Sequence, residues 1–239
     1  MEILLFSIIA SLGALVGAVA GFASALVAVP LLTLFLPPKV AVPAFTLVTL
    51  LINLMVTYEA RRHLIWNRIT VLMLAGTVGT LVGAYSLAHL PTGAIRLIVS
   101  VVTLGFGLLF LMKVPIRLSE GKSVEVVLGL MSGWLGGCVS QSGPPVVFLA
   151  LARGWAKDAF RGNLMAYFFV INIISVIAYW RFNLLTKTSI TYSIFALFPA
   201  LLMSVIGIWI KNRVNEATFR VTVLITIIVV GVAGLIQYH

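Results

Sequence analysis

The sequence has few charged residues. Only 9% of its 239 residues are charged and 62% are hydrophobic, whereas an average soluble domain is about 25% charged. A chain of this length has a modest core to fill, so most of its apolar surface must face lipid rather than water. The composition therefore predicts a multi-pass protein of the cell (inner) membrane, with the lipid bilayer as its partner.

Acidic residues, histidine and cysteine are scarcer still. The six acidic residues all lie at the ends of apolar runs or in loops, as do the three histidines, and Cys138 is the single cysteine. This pattern argues against a buried acid pair, a metalloprotease helix, a Ser-His pair and a multi-cysteine metal site. We therefore expect no enzymatic activity, no metal and no cofactor, and a cation is a disfavoured substrate. The acidic residues are Glu2, Glu59, Glu120, Glu125, Asp158 and Glu216.

The basic residues give a net charge of +10, but they separate apolar runs instead of forming a stripe interleaved with aromatic residues. A nucleic-acid partner is therefore not expected. Six of the eight long runs between charges or histidines fit one membrane span of about 20 residues each. The runs are 3–38, 40–58, 69–88, 97–112, 126–152, 162–180, 188–210 and 221–238.

Two runs, 3–38 and 126–152, do not have the length of one span, and each is interrupted. Glycine and proline at such positions end helices and begin new ones. Each run is predicted to form a helix, a non-helical tip and a short second helix, packed inside the protein because irregular backbone cannot face lipid. Whether these hairpins are re-entrant or cross twice is open. The interruptions are Gly21-Phe22-Ala23-Ser24, Gly136-Gly137 and Ser140-Gln141-Ser142-Gly143-Pro144-Pro145.

The two interrupted runs open two similar halves. We predict an all-α bundle of two repeats, 1–113 and 123–239, joined by a cytoplasmic linker, 114–122, with three transmembrane helices after each hairpin. Identities recur at offsets that grow along the chain: Gly21 with Gly136, Pro30 with Pro145, Asn53 with Asn172, Gly83 with Gly207, Arg96 with Arg220, and Gly107 with Gly231.

The distribution of Lys and Arg predicts how the halves are related. If each hairpin returns to its starting side or crosses twice, twelve of the sixteen basic residues lie on one face and four on the other. If each crosses once, the split is even. Because cytoplasmic loops carry the excess of Lys and Arg, an inverted repeat with both termini outside is favoured.

The two tips are the predicted substrate site. Transporters with inverted repeats place the substrate near the midplane, where the N-termini of half-helices point at anionic groups. Ser142 or Gly143 is the expected N-cap of the second return helix, with Pro144 as its first helical residue. The substrate-binding residues predicted on this basis are Ser24, Asn53, Ser140, Gln141, Ser142, Gly143 and Asn172.

In these segments the sequence resembles the TauE/SafE family of sulfite exporters. The resemblance implies transport of a small anion, such as sulfite, a sulfonate like sulfoacetate, or a similar oxoanion. The alternatives are transport of another small solute, a carboxylate or a metal ion, and a non-transporting membrane scaffold; a homo-oligomer is left open. The matching segments are Gly21-Phe22-Ala23-Ser24 with Val29-Pro30-Leu31-Leu32, Arg61-Arg62-His63, Ser142-Gly143-Pro144-Pro145, and Phe160-Arg161-Gly162-Asn163.

Overall fold

The computed structural model describes residues 1–112, 121–211, 213 and 216–236, and it gives the backbone alone for residues 157 and 216–222. Most of the predicted linker, residues 114–122, therefore lies outside the described residues. The described chain contains helices, turns and short connections and no strand, as predicted for an all-α protein.

In the part of the chain that the structure describes, each half contributes five α-helices in the same order of lengths. The first half has α1 (Glu2–Ala20), α2 (Ser24–Phe35), α3 (Pro38–Ala60), α4 (Thr70–His89) and α5 (Thr92–Leu111). The second has α6 (Lys122–Val139), α7 (Gly143–Ala152), α8 (Lys157–Arg181), α9 (Lys187–Ile210) and α10 (Glu216–Ile236). Two short 3-10 turns, Arg61–His63 and Trp66–Arg68, connect α3 to α4.

The two interrupted runs form helical hairpins, as predicted. The interruption predicted at Gly136-Gly137 is wrong, because both glycines lie inside α6, which continues to Val139. The first breaks after α1 at Gly21, whose φ of 84° is a left-handed conformation that glycine adopts without strain. The second breaks after α6 at Ser140, with φ 59°. The return helices α2 and α7, of 12 and 10 residues, are only about 18 and 15 Å long at 1.5 Å per residue. A bilayer core is about 30 Å thick, so these helices are too short to cross it.

The surface of the bundle is apolar. Among the described residues, six helices, α1, α3, α4, α5, α8 and α9, are long and apolar enough to cross a membrane. The side chains that α4 and α9 expose are largely hydrophobic, which suits contact with lipid tails. These helices and their exposed apolar residues agree with the expected multi-pass membrane protein. The exposed residues include Leu74, Val78, Leu81, Val82 and Tyr85 on α4, and Ile194, Phe195, Phe198, Leu202 and Trp209 on α9.

Glycines let helices of the two halves approach each other closely. On α4, Gly79 faces the backbone of Leu130, and Gly83 faces that of Trp134. On the opposing helix α6, Gly133 lies directly against the carbonyl of Gly76. Small residues at such an interface allow backbone-to-backbone packing, which is a main source of helix association in lipid.

This packing predicts that Gly133→Ala destabilises the protein, since the added methyl group would overlap the carbonyl oxygen of Gly76. Overpacking of a close interface costs about 1–3 kcal/mol, so the melting temperature in detergent should fall by several degrees. Gly105→Ala is the matched control because a methyl group there meets nothing within 4 Å. The idea fails if both variants melt at the same temperature.

Candidate functional site

The tips of the two hairpins meet at one small cavity between α3 and α8. Its volume is about 20 Å³, where a single water needs roughly 10–15 Å³, so in this conformation it has room for about one water molecule and must widen to admit an oxoanion. All seven predicted site residues line it, although their role in substrate binding stays a prediction. The lining residues are Phe22, Ser24, Ala25, Leu26, Thr49, Asn53, Ser140, Gln141, Ser142, Gly143, Phe168 and Asn172.

The tips touch through backbone atoms. Gly143, the first residue of α7, lies so close to the first tip that an added Cβ would be 3.3 Å from the carbonyl oxygen of Phe22. Ser24, the first residue of α2, packs in turn against Gly17 of α1. Small residues at these positions allow both helix N-termini to reach the same cavity.

The N-terminus of α2 brings four unpaired backbone N–H groups to the cavity region. They belong to Ala23, Ser24, Ala25 and Leu26, and no acceptor among the described residues receives a hydrogen bond from them. The first intrahelical bond of this end is donated by Val27 to the carbonyl of Ala23. Unpaired amides at a helix N-terminus carry partial positive charge and bind anions readily.

The N-terminus of α7 supplies fewer donors than the sequence suggested. Ser142 is its N-cap, one of the two predicted options, but the helix begins at Gly143, so Pro144 is the second helical residue and not the first. Pro144 and Pro145 have no N–H group. The amides of Ser142 and Gly143 remain, and neither has an acceptor in the described part of the chain. The Ser142 hydroxyl makes no capping bond and is also free.

Among the described residues, three hydrogen bonds join polar lining residues of the second half to threonines of the first, and two of these threonines, Thr46 and Thr49, are on α3. Asn172 Nδ2 on α8 donates to Thr49 Oγ1 on α3 at 3.0 Å. Thr49 already donates to the carbonyls of Phe45 and Thr46, so its oxygen must accept, and this fixes the Asn172 amide with its oxygen turned away. Ser140 and Thr46 pair through their hydroxyls at 3.0 Å.

Gln141 and Asn53 retain unused polar atoms. Gln141 Nε2 donates to Thr103 Oγ1 on α5 at 2.9 Å, and the buried Oε1 has no partner among the residues that the structure describes. Asn53 is 7% exposed, and its amide bonds to no other described residue. An unpaired buried polar group is costly unless water or a ligand pairs with it, so both residues favour a polar occupant.

Sequence reasoning missed Thr49, Thr46 and Thr103. Thr49 lies one helical turn before Asn53, a spacing that puts both on one face of α3. That spacing was available in the sequence. The partners of Thr46 and Thr103 in the other half were not, because they depend on how the halves dock.

Comparison with known proteins assigns the chain to a family. A search of curated proteins and a search of solved structures return no match. The family model described as "Sulfite exporter TauE/SafE" matches residues 5–234, nearly the whole chain. The chain therefore belongs to the TauE/SafE family of sulfite exporters, a family of multi-pass membrane transporters.

Proposed function

We propose that this protein carries small sulfur oxoanions, sulfite or sulfonates, across the membrane, and that the cavity at the two tips is their binding site. The observation that carries the proposal is the set of six unpaired backbone amides at the N-termini of α2 and α7. Five of these residues line the cavity, and no lining residue has a charged side chain. An anion would find hydrogen-bond donors and the positive ends of two helix dipoles.

This arrangement disfavours a metal ion as the substrate and a non-transporting scaffold as the function. A metal ion would face the positive ends of both return helices and lack a carboxylate on the cavity wall. A non-transporting scaffold has no use for two broken helices, whose unpaired amides are costly when buried in a membrane. Among anions, a carboxylate remains a competitor, and the family supports sulfur oxoanions.

We also propose that the halves are inverted repeats related by a pseudo-twofold axis. We match each helix of the first half with its counterpart in the second, from α1 with α6 to α5 with α10. A pseudo-twofold rotation exchanges the two members of each match. The contact between α4 and α6 then corresponds to the contact between α9 and α1. Both pairs pack extensively, as do the self-matching pairs α3 with α8 and α5 with α10. The start of the first hairpin meets the start of α9 through the bond from Tyr192 to Glu2.

The alignment of the two hairpins specifies which residues of the two proposed repeats correspond. With Asn53 matched to Asn172, the offset is 119 residues, and the same offset matches Ser24 with Gly143. Gly136 then corresponds to Gly17 and not to Gly21. The contacts support this register to within one residue, since Gly17 packs on Ser24 and Gly136 packs on Ser142, which the offset matches with Ala23. In both hairpins a glycine in the long helix makes room for the start of the return helix.

Transport in this scheme requires the halves to move against each other. The bonds of Thr46 and Thr49 to Ser140 and Asn172 cross between the halves beside the cavity. Rocking of one half would exchange these bonds for others and open the cavity to one side at a time, as in alternating access.

Reconstitution into liposomes tests the proposed function. Labelled sulfite and methanesulfonate should enter protein-containing vesicles with saturable kinetics, and acetate and Na⁺ should enter no faster than into protein-free vesicles. The exclusion of Na⁺ follows from a site made of hydrogen-bond donors, and the expected preference for sulfur oxoanions over acetate follows from the family. Saturable Na⁺ uptake, or acetate uptake faster than that of both sulfur oxoanions, would contradict the proposal.

A further inference from the structure

Beside the cavity lies a group of three charged side chains from both halves. Glu59, near the end of α3, binds Arg161 and Lys211 with its two carboxylate oxygens. The Arg161 Nη1 to Glu59 Oε2 distance is 2.7 Å, and the Lys211 Nζ to Glu59 Oε1 distance is 3.1 Å. One carboxylate thus bridges two cations, in the way that an oxoanion could.

Arg161 has hydrogen-bonding capacity that Glu59 does not use. Its side chain is only 13% exposed, and its buried Nε and Nη2 atoms have no acceptor among the described residues. A guanidinium has five N–H donors in a planar fork that suits oxoanions. Leaving part of that fork unpaired is costly, which indicates a position that is filled at another stage of transport.

Arg161 is also next to the cavity wall. Its side chain packs on Gly21, where an added Cβ would be 3.7 Å from Arg161 Cγ. The following residue, Phe22, lines the cavity, and its ring contacts Phe160 at 6.4 Å between centroids. The Arg161 side chain thus contacts the residue that directly precedes a cavity-lining residue.

We propose that Arg161 is a second anion-binding residue on the transport path, which Glu59 occupies in the conformation described. The entering or leaving oxoanion takes the place of the Glu59 carboxylate on Arg161 before passing the Phe22 segment. Glu59 is suited to being displaced because its side chain is 40% exposed, and exposed ion pairs are weak. This inference rests on the proposed transport of oxoanions and names a further residue for it.

The two partners should affect substrate affinity in opposite directions. Arg161→Gln should raise the KM for labelled sulfite in proteoliposomes by roughly ten- to hundredfold, the scale of a lost charged hydrogen bond. Glu59→Gln removes the competing carboxylate and should lower the KM by roughly two- to fivefold. If the ion pair were purely structural, both variants would transport worse. The direction in which Glu59→Gln changes the KM therefore separates the two explanations.

Glu125→Gln is the matched control. It breaks another ion pair, with Arg153 of the second hairpin, and should leave the KM unchanged. If Arg161→Gln does not fold, Glu59→Gln still decides, and a KM that rises or stays constant in that variant overturns the inference. If the wild type transports sulfite but the KM of Glu59→Gln does not fall, only the inference about Arg161 is overturned and the proposed transport function stands. If the wild type transports neither sulfite nor sulfonates, both the inference and the proposed function are overturned.

Discussion

Ser142→Asp is expected to abolish transport while the protein still folds and inserts. Ser142 is the N-cap of α7, it lines the cavity, and its hydroxyl has no capping partner. An aspartate there would place a fixed negative charge beside the bound anion. At a separation of about 4 Å and an effective dielectric constant of about 20, two like charges repel by about 4 kcal/mol. Affinity for the anion should therefore fall by roughly a thousandfold.

Two further substitutions separate charge from shape. The side chain introduced by Ser142→Asn has nearly the same size as that introduced by Ser142→Asp but carries no charge. Both side chains would pack against Gly136 in the same way. Ser142→Asn should therefore retain most of the flux. Ser142→Ala removes one hydrogen bond, worth about 0.5–1.5 kcal/mol, and should reduce affinity by no more than roughly tenfold.

The measurement is the initial rate of labelled sulfite uptake in proteoliposomes, with equal amounts of monodisperse protein for each variant. Wild-type rates in Ser142→Asp would place the substrate elsewhere. Equal loss in Ser142→Asp and Ser142→Asn would show that crowding and not charge is responsible.

The hairpins could be predicted from the sequence because their causes are local. Gly21 permits the left-handed backbone conformation that ends α1. Pro144 and Pro145 fix their own φ and lack an amide donor wherever they occur. Two apolar runs that did not have the length of one span then left few ways to fold. The same local reasoning placed all seven candidate residues on one cavity.

What the sequence did not reveal depends on contacts between distant segments. The threonine partners of Ser140, Asn172 and Gln141 lie 94, 123 and 38 residues away. The match of Gly136 with Gly17 also appears only once both hairpins are formed. The number of amides at α7 could have been counted from the sequence, since a proline never donates a backbone hydrogen bond.

The unpaired oxygens of the cavity raise the question of what drives transport. The amides suit an anion, but Gln141 Oε1 is an acceptor without a partner. A water or a hydrogen on the substrate, such as the one that hydrogen sulfite carries, would satisfy it. So would a coupling cation, since carbonyl oxygens are also ligands for Na⁺ in transporters. A test of the driving force separates these cases.

Flux of a permanently charged sulfonate is expected to follow the membrane potential alone. No carboxylate lines the cavity to carry a proton, so the charge that moves is that of the substrate. A potential of 100 mV contributes about 2.3 kcal/mol per charge, which equals a concentration ratio of roughly fiftyfold for a monovalent anion. An inside-negative cell would thus drive the anion outward.

Proteoliposomes clamped with valinomycin and K⁺ gradients test this with labelled methanesulfonate, whose charge does not change near neutral pH. Accumulation should reverse with the sign of the potential and approach a concentration ratio of roughly fiftyfold at 100 mV. A pH or Na⁺ gradient imposed at zero potential should cause no accumulation. Vesicles that contain the Ser142→Asp variant control for leakage. Accumulation that needs an inward Na⁺ or H⁺ gradient would instead show that a coupling ion binds with the substrate, and Gln141 Oε1 with the oxygens of Asn53 and Asn172 would be its first candidate ligands.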